Sequence, residues 1–173
     1  MTENKINNEA VKSYFTKLQT DIINAVEIVD GKNFLVDSWQ RAEGGGGTTC
    51  ILENGNIFER AGIGFSNVIG SQLPKSATDA HPEITDSNWE ATGVSLVFHP
   101  KNPYIPTVHM NVRFFVAKKN NKNIWWFGGG MDLTPYYGFD EDAIHFHKTI
   151  QTALNPFGED LYPEFKKNCD KYF

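Results

Sequence analysis

Apolar residues recur every three or four positions between residues 8 and 29, where Val11, Phe15, Leu18, Ile22 and Val26 form one stripe. That period predicts an amphipathic helix, and Gly31 supplies its stop. Beyond it the period falls toward two. KNFLVDSWQR (32–41) reads as a strand, AEGGGG (42–47) as a flexible break, and TTCILENGNIFER (48–60) as a hairpin whose Asn54-Gly55 pair favours a type I′ turn. GFSNVIGSQL (64–73) continues the sheet. Residues 74–90 hold two prolines, His81 and no sustained period, which predicts a long loop.

Three more strands are expected at 93–99, 107–118 and 123–129, joined by HPKNPYIP and by the polar turn KKNNKN, with antiparallel pairing. From Asp140 the pattern turns helical. Ala143, His147, Ile150 and Leu154 share one face, acidic residues fill the first turn, and a second helix begins near Gly158. Strands followed by helices predict an α+β fold, an antiparallel sheet flanked by helices, in one domain over 1–173. The last segment, EDLYPEFKKNCDKYF, stops while still amphipathic, so the fold is expected to be incomplete at the C-terminus.

A chain of 173 residues can bury one sizeable core. Its net charge of -5, without a basic cluster, argues against nucleic acid and against attraction to anionic membranes. No apolar run approaches the ~20 residues of a membrane span. The polar start MTENKINNEA is neither a signal peptide nor a transit sequence, and the expected location is cytoplasmic. Cys50 and Cys169 have no CxxC partner and read as reduced structural thiols.

Two stretches carry candidate chemistry. In TVHMNVRFF, His109, Asn111 and Arg113 alternate and share one strand face, opposite Met110, Val112 and Phe114. Imidazole, amide and guanidinium together can move a proton, hydrogen-bond a neutral group and clamp a carboxylate; a solvated face of an outer strand would carry the same pattern. In WWFGGGMDLTPYY, the glycines match neither GxGxxG nor a P-loop, and Asp132 would repel a phosphate. The stretch reads either as a glycine-rich turn between strand and helix or as a wall for a flat, largely apolar ligand with one carboxylate handle. On the later helix His145 and His147 stand about 200° apart, so His147 faces inward and His145 outward. His99, His109 and His147 could form a three-imidazole metal site, although no HExxH-type spacing ties them together.

DSWQRAEGGGG, NIFERAGIGFSNV, GVSLVFHPKNPYIPTVHMNVRFF, WWFGGGMDLTPYYGFDEDAIHFHKT and PFGEDLYPEFKKNCDKYF, in this order, resemble the oxygen-dependent coproporphyrinogen III oxidases of haem biosynthesis. The resemblance implies oxidative decarboxylation of two propionates of coproporphyrinogen III to vinyl groups. The products would be protoporphyrinogen IX, carbon dioxide and hydrogen peroxide, with O2 as oxidant and no organic cofactor. By the same match Ser95, Asn111, Val112 and Arg113 bind substrate, and His109 is the proton donor. Asp132 accepts pyrrole N–H groups, and His99, His109 and His147 are the positions matching a divalent metal cation site. Family members form homodimers and continue well past the segment matched here, which implies an N-terminal part; the alternative is a non-catalytic remnant or tetrapyrrole-binding module. Two positions depart from the family pattern: Thr48 replaces a basic residue after GGGG, and GFSNV at 64–68 lacks the histidine of NFSHV.

Overall fold

The computed structural model describes residues 6–71, 73, 82–85, 87–119 and 122–172. It separates into two compact units, Met1–Thr134 and Pro135–Phe173.

The first unit holds helix α1 (Asn8–Asp30) and six strands: β1 (Leu35–Gln40), β2 (Gly45–Glu53), β3 (Phe58–Gly70), β4 (Asn88–Pro100), β5 (Thr107–Lys119) and β6 (Lys122–Thr134). The strands form one antiparallel sheet in chain order, β1-β2-β3-β4-β5-β6. The α+β expectation holds. A short 3-10 turn, Pro82–Ile84, and strand residues Asn88, Trp89 and Glu90 occupy part of the expected loop. The rest of that loop that includes His81 lies outside the described residues, as do the turn positions 120–121.

The helix forms where the apolar period places it. Asn7 caps it, its side chain accepting from Ala10 N at 3.1 Å, and Gly31 ends it with φ of 78°, its N–H donating to Glu27 O at 2.8 Å. Phe15 and Val26 are buried against Leu52, Ile63, Val94, Phe114 and Val116, while Val11, Leu18 and Ile22 pack at the margin. Burying a side chain such as Phe15 or Val26 contributes about 1.5–3 kcal/mol. The stripe also contains a polar residue the periodicity did not single out. Buried Gln19 donates from Nε2 to Thr48 O at 2.9 Å and Ile63 O at 3.0 Å, stitching the helix to β2 and β3. Burial pushes the Cys50 thiol up, with Glu27 adding to the effect, which fits an unreactive structural cysteine.

Three local readings change. AEGGGG is no flexible break, because Gly45, Gly46 and Gly47 belong to β2. A Cβ at Gly45 would enter the Asn67 carbonyl, and one at Gly47 would enter the Phe65 carbonyl and the Trp39 ring. Glycine is needed there for close approach of strands, not for mobility. The β2–β3 hairpin forms, but only Asn54 has positive φ (52°), so it lacks the two positive φ values of a type I′ turn. Its shape follows from Asp30 instead. The Asp30 carboxylate accepts from Asn56 N, Ile57 N and Phe58 N, each at 2.9 Å, and holds the loop open. Finally, Gly128, Gly129 and Gly130 lie within β6, paired with Arg113, Val112 and Asn111, so they form no turn and the strand runs on to Thr134.

Burial alone would raise the Asp30 carboxyl, but the three backbone donors, helped by Lys101, hold it below the ordinary aspartate value. Asp30 therefore contributes stability that is fully present above about pH 4, the unfolded value. The contribution is lost as pH falls from there through the lower folded value. We expect Asp30→Ala to destabilise the protein by about 3 kcal/mol at neutral pH, since three amides lose their acceptor. Urea unfolding as a function of pH tests this: Asp30→Asn should flatten the acid limb, and an unchanged limb would contradict the assignment.

The second unit contains α2 (Asp140–Leu154), a 3-10 turn Asn155–Phe157, and α3 (Leu161–Tyr172). Asp140, Glu141 and Asp142 in the first turn of α2 complement its dipole. No residue of either helix is fully buried. His147, Ile150 and Leu154 are half-buried as their shared face predicts, whereas Ala143 is exposed. Among the described residues no helix is long and apolar enough to cross a membrane.

Candidate functional site

The sheet has two chemically different faces because its strands alternate in register. One face carries Cys50, Leu52, Ile63, Phe65, Val94, Leu96, Phe114 and Val116 under α1. At one end of the opposite face Phe115 stacks with Trp89 and Trp126 at centroid separations of 5.8 and 4.5 Å, over Ala117 and Ile84. The remainder of that second face is polar and rich in glycine.

Strand register arranges this region as three rows across β3, β4, β5 and β6. One row reads Gly62, Val97, His109, Asp132; the next Gly64, Ser95, Asn111, Gly130; the third Ser66, Gly93, Arg113, Gly128. β5 is an interior strand, so the polar side of TVHMNVRFF is not the wet face of an outer strand. Six of the residues singled out from sequence share this face: Ser95, His99, His109, Asn111, Arg113 and Asp132. Val112 does not. It alternates to the α1 face and packs against the core, so its side chain is directed away from the others.

His109 and Asp132 sit directly opposite one another, with His109 Nδ1 2.7 Å from Asp132 Oδ1. Thr134 Oγ1 donates to the same oxygen at 3.1 Å. The side chains are 44% and 37% exposed, so screening limits the pair's worth to stability at about 0–1 kcal/mol. Its geometry suits chemistry better. A carboxylate on Nδ1 fixes the imidazole orientation and leaves Nε2 as the titrating atom. His99 stands edge-on to His109, centroids 6.3 Å apart, with its Nδ1 3.3 Å from Thr107 Oγ1.

Asn111 Oδ1 is closed off from solvent yet has no hydrogen-bond partner among the described residues. Such an orphan acceptor costs about 1–3 kcal/mol and marks a place for an external donor. Arg113 is exposed and has no carboxylate partner among the described residues. Imidazole, amide, guanidinium and carboxylate thus converge on one surface that could receive N–H groups and anionic side chains.

The glycines divide into two kinds. Gly93 and Gly129 are required by strand packing, since an added Cβ would lie 2.7 Å from Val112 O and 2.5 Å from Asn111 O respectively. Gly62, Gly64, Gly128 and Gly130 are not. The nearest atoms to a Cβ there would be 3.8, 3.9 and 3.7 Å away for the first three, and nothing lies within 4 Å for Gly130. None of the four has positive φ. Each nonetheless costs about 0.5–1 kcal/mol relative to alanine in a strand. Sequence reading found Gly128 and Gly130 but missed Gly62 and Gly64, although Ala61-Gly62-Ile63-Gly64-Phe65 alternates glycine with apolar residues at strand period.

Both departures from the resembled family lie elsewhere. Thr48 is on the α1 face, where its carbonyl receives Gln19. Asn67, in place of the histidine, is buried on that same face and donates to Glu90 Oε1 at 2.8 Å and Thr92 Oγ1 at 2.7 Å.

In the second unit, the His147 ring meets Tyr162 edge-on at 6.2 Å, whereas His145 is exposed. His147→Ala should cost about 1 kcal/mol through that lost contact, against no more than about 0.5 kcal/mol for His145→Ala. Chemical denaturation monitored by helical circular dichroism compares them, and equal or reversed losses would contradict the packing. Among the described residues no three His, Cys, Asp or Glu side chains gather closely enough to hold a metal ion. The three-histidine set therefore does not fit a divalent cation on these residues, and the His109–Asp132 pair is considered below as a proton-handling unit in its own right.

The family model for coproporphyrinogen III oxidase matches residues 10–173.

Proposed function

Since the chain belongs to the coproporphyrinogen III oxidase family, we propose that its glycine-floored sheet face binds coproporphyrinogen III and supports oxygen-dependent oxidative decarboxylation of two propionates to vinyl groups. The observation that carries this reading is the His109–Asp132 pair at 2.7 Å on the same face as Asn111 and Arg113.

Each residue has a role that its surroundings suit. Arg113 clamps a propionate with its guanidinium fork. Asn111 Oδ1 and the second oxygen of Asp132 accept pyrrole N–H groups, and Ser95 offers a hydroxyl beside them. The Asp132 charge also stabilises positive character that develops on the electron-rich pyrrole, an effect strongest when the substrate displaces water from the face. For each propionate, the bond to the carboxylate carbon breaks and releases CO2. The equivalent of a hydride leaves the adjacent carbon, and one O2 with one proton accepts it as hydrogen peroxide. His109 Nε2 supplies that proton while Asp132 steadies the resulting ring tautomer. The pyrrole provides the electrons, so the proposed chemistry requires no organic cofactor.

Incubating the protein with coproporphyrinogen III under air tests the proposal. Protoporphyrinogen IX, CO2 and hydrogen peroxide are expected, with no turnover under argon. Equal turnover without O2 would overturn the choice of oxidant, and absence of product under air would overturn the activity.

A further inference from the structure

The proposed reading explains why Gly128 and Gly130 are bare, since both flank Arg113, Asn111 and Asp132. It leaves Gly62 and Gly64 without a purpose. They lie on β3, three strands from β6, at the far ends of the His109–Asp132 row and the Asn111–Gly130 row. The fold does not need them: a Cβ at either would sit at ordinary contact distance, 3.8 Å from Val97 Cγ1 or 3.9 Å from Ser95 O, without positive φ. Nor does a packing partner fill the space, because the buried neighbours Ala61, Ile63 and Phe65 point to the other face.

Resting on the proposed function, we propose that Gly62 and Gly64 form the distal part of the substrate floor and set its breadth. The absent side chains admit pyrrole rings over β3 while Asp132 and Arg113 engage the macrocycle over β5 and β6. Four strands by three rows cover about 14 Å by 13 Å. Such a floor supports a four-pyrrole macrocycle lying flat, whereas a single pyrrole with its side chains would leave the β3 end uncovered. On β2, the neighbours of this end are Ile51 opposite Gly62 and Thr49 opposite Gly64. Thr49 Oγ1 accepts from Trp39 Nε1 at 3.2 Å, which fixes an indole beside the floor.

Coproporphyrin III is the binding probe, followed by quenching of tryptophan fluorescence, with Gly64→Ala, Gly64→Val and Gly62→Ala compared with wild type. The expected result is affinity weakened at least tenfold in Gly64→Val, and less in the alanine variants, with the melting temperature of the ligand-free protein unchanged or raised. Wild-type affinity in Gly64→Val overturns the inference and leaves the proposed function standing. A lowered melting temperature overturns it too, because the glycines would then serve packing. Failure of the wild-type protein to bind the probe overturns the inference together with the reading beneath it.

Discussion

Asp132→Asn is expected to lower the turnover of coproporphyrinogen III by about 10²–10⁴-fold, the range associated with a positioned acid or base. Asparagine keeps the size and one acceptor oxygen, so contacts from Thr134 and the sheet register survive. It removes the charge that orients His109 through Nδ1 and that stabilises a positively polarised pyrrole. The half-exposed pair adds little to stability, and the melting temperature should stay within about 2 °C of wild type. The loss should fall mainly on kcat, since the charge acts most strongly as the transition state develops. Wild-type kcat in the folded variant would remove Asp132 from the mechanism.

Arg113→Lys should reduce kcat/KM by about 10–100-fold, mainly through KM, because a charge-assisted hydrogen-bond pair is worth about 1.5–3 kcal/mol. Lysine retains the charge but loses the planar fork. Arg113 stands between Gly93 and Gly128 on its neighbouring strands, so no side chain on either side would reposition the ammonium. The same comparison with a propionate methyl ester separates binding from folding. Wild type and Arg113→Lys should handle the ester alike, and a persistent difference would show that Arg113 acts on something other than the carboxylate.

Periodicity made much of this fold legible. The spacing of Val11, Phe15, Leu18, Ile22 and Val26 specified α1 and its buried face, and the alternation in TVHMNVRFF specified which side chains of β5 lie together. The glycine runs were harder. Glycine is intrinsically poor in strands, and only cross-strand pairing, remote in sequence, turns Gly45–Gly47 and Gly128–Gly130 into ladder positions. Asp30 was invisible for a related reason: its partners are amides of Asn56, Ile57 and Phe58, and backbone donors leave no signature in residue type. Within the candidate site, His109, Asn111 and Arg113 followed from one strand's alternation. Asp132 came from the family resemblance, because the pairing that sets it opposite His109 joins two strands. Gly62 and Gly64 differ again, for glycine's alternation with Ala61, Ile63 and Phe65 was visible locally but acquires meaning only beside the open space above it.

The meander also fixes a timetable for folding during synthesis. Every strand pairs with the one made just before it, so each new strand has a template waiting as it emerges. Helix α1 is the exception, because its apolar side packs on β3 and β4. Asn88, the first residue of β4, is made roughly 60 residues after Asp30, on the order of 3–12 s at 5–20 residues per second. During that interval Phe15 and Val26 lack their full cover, making the nascent α1 the segment most in need of a chaperone until the fourth strand arrives.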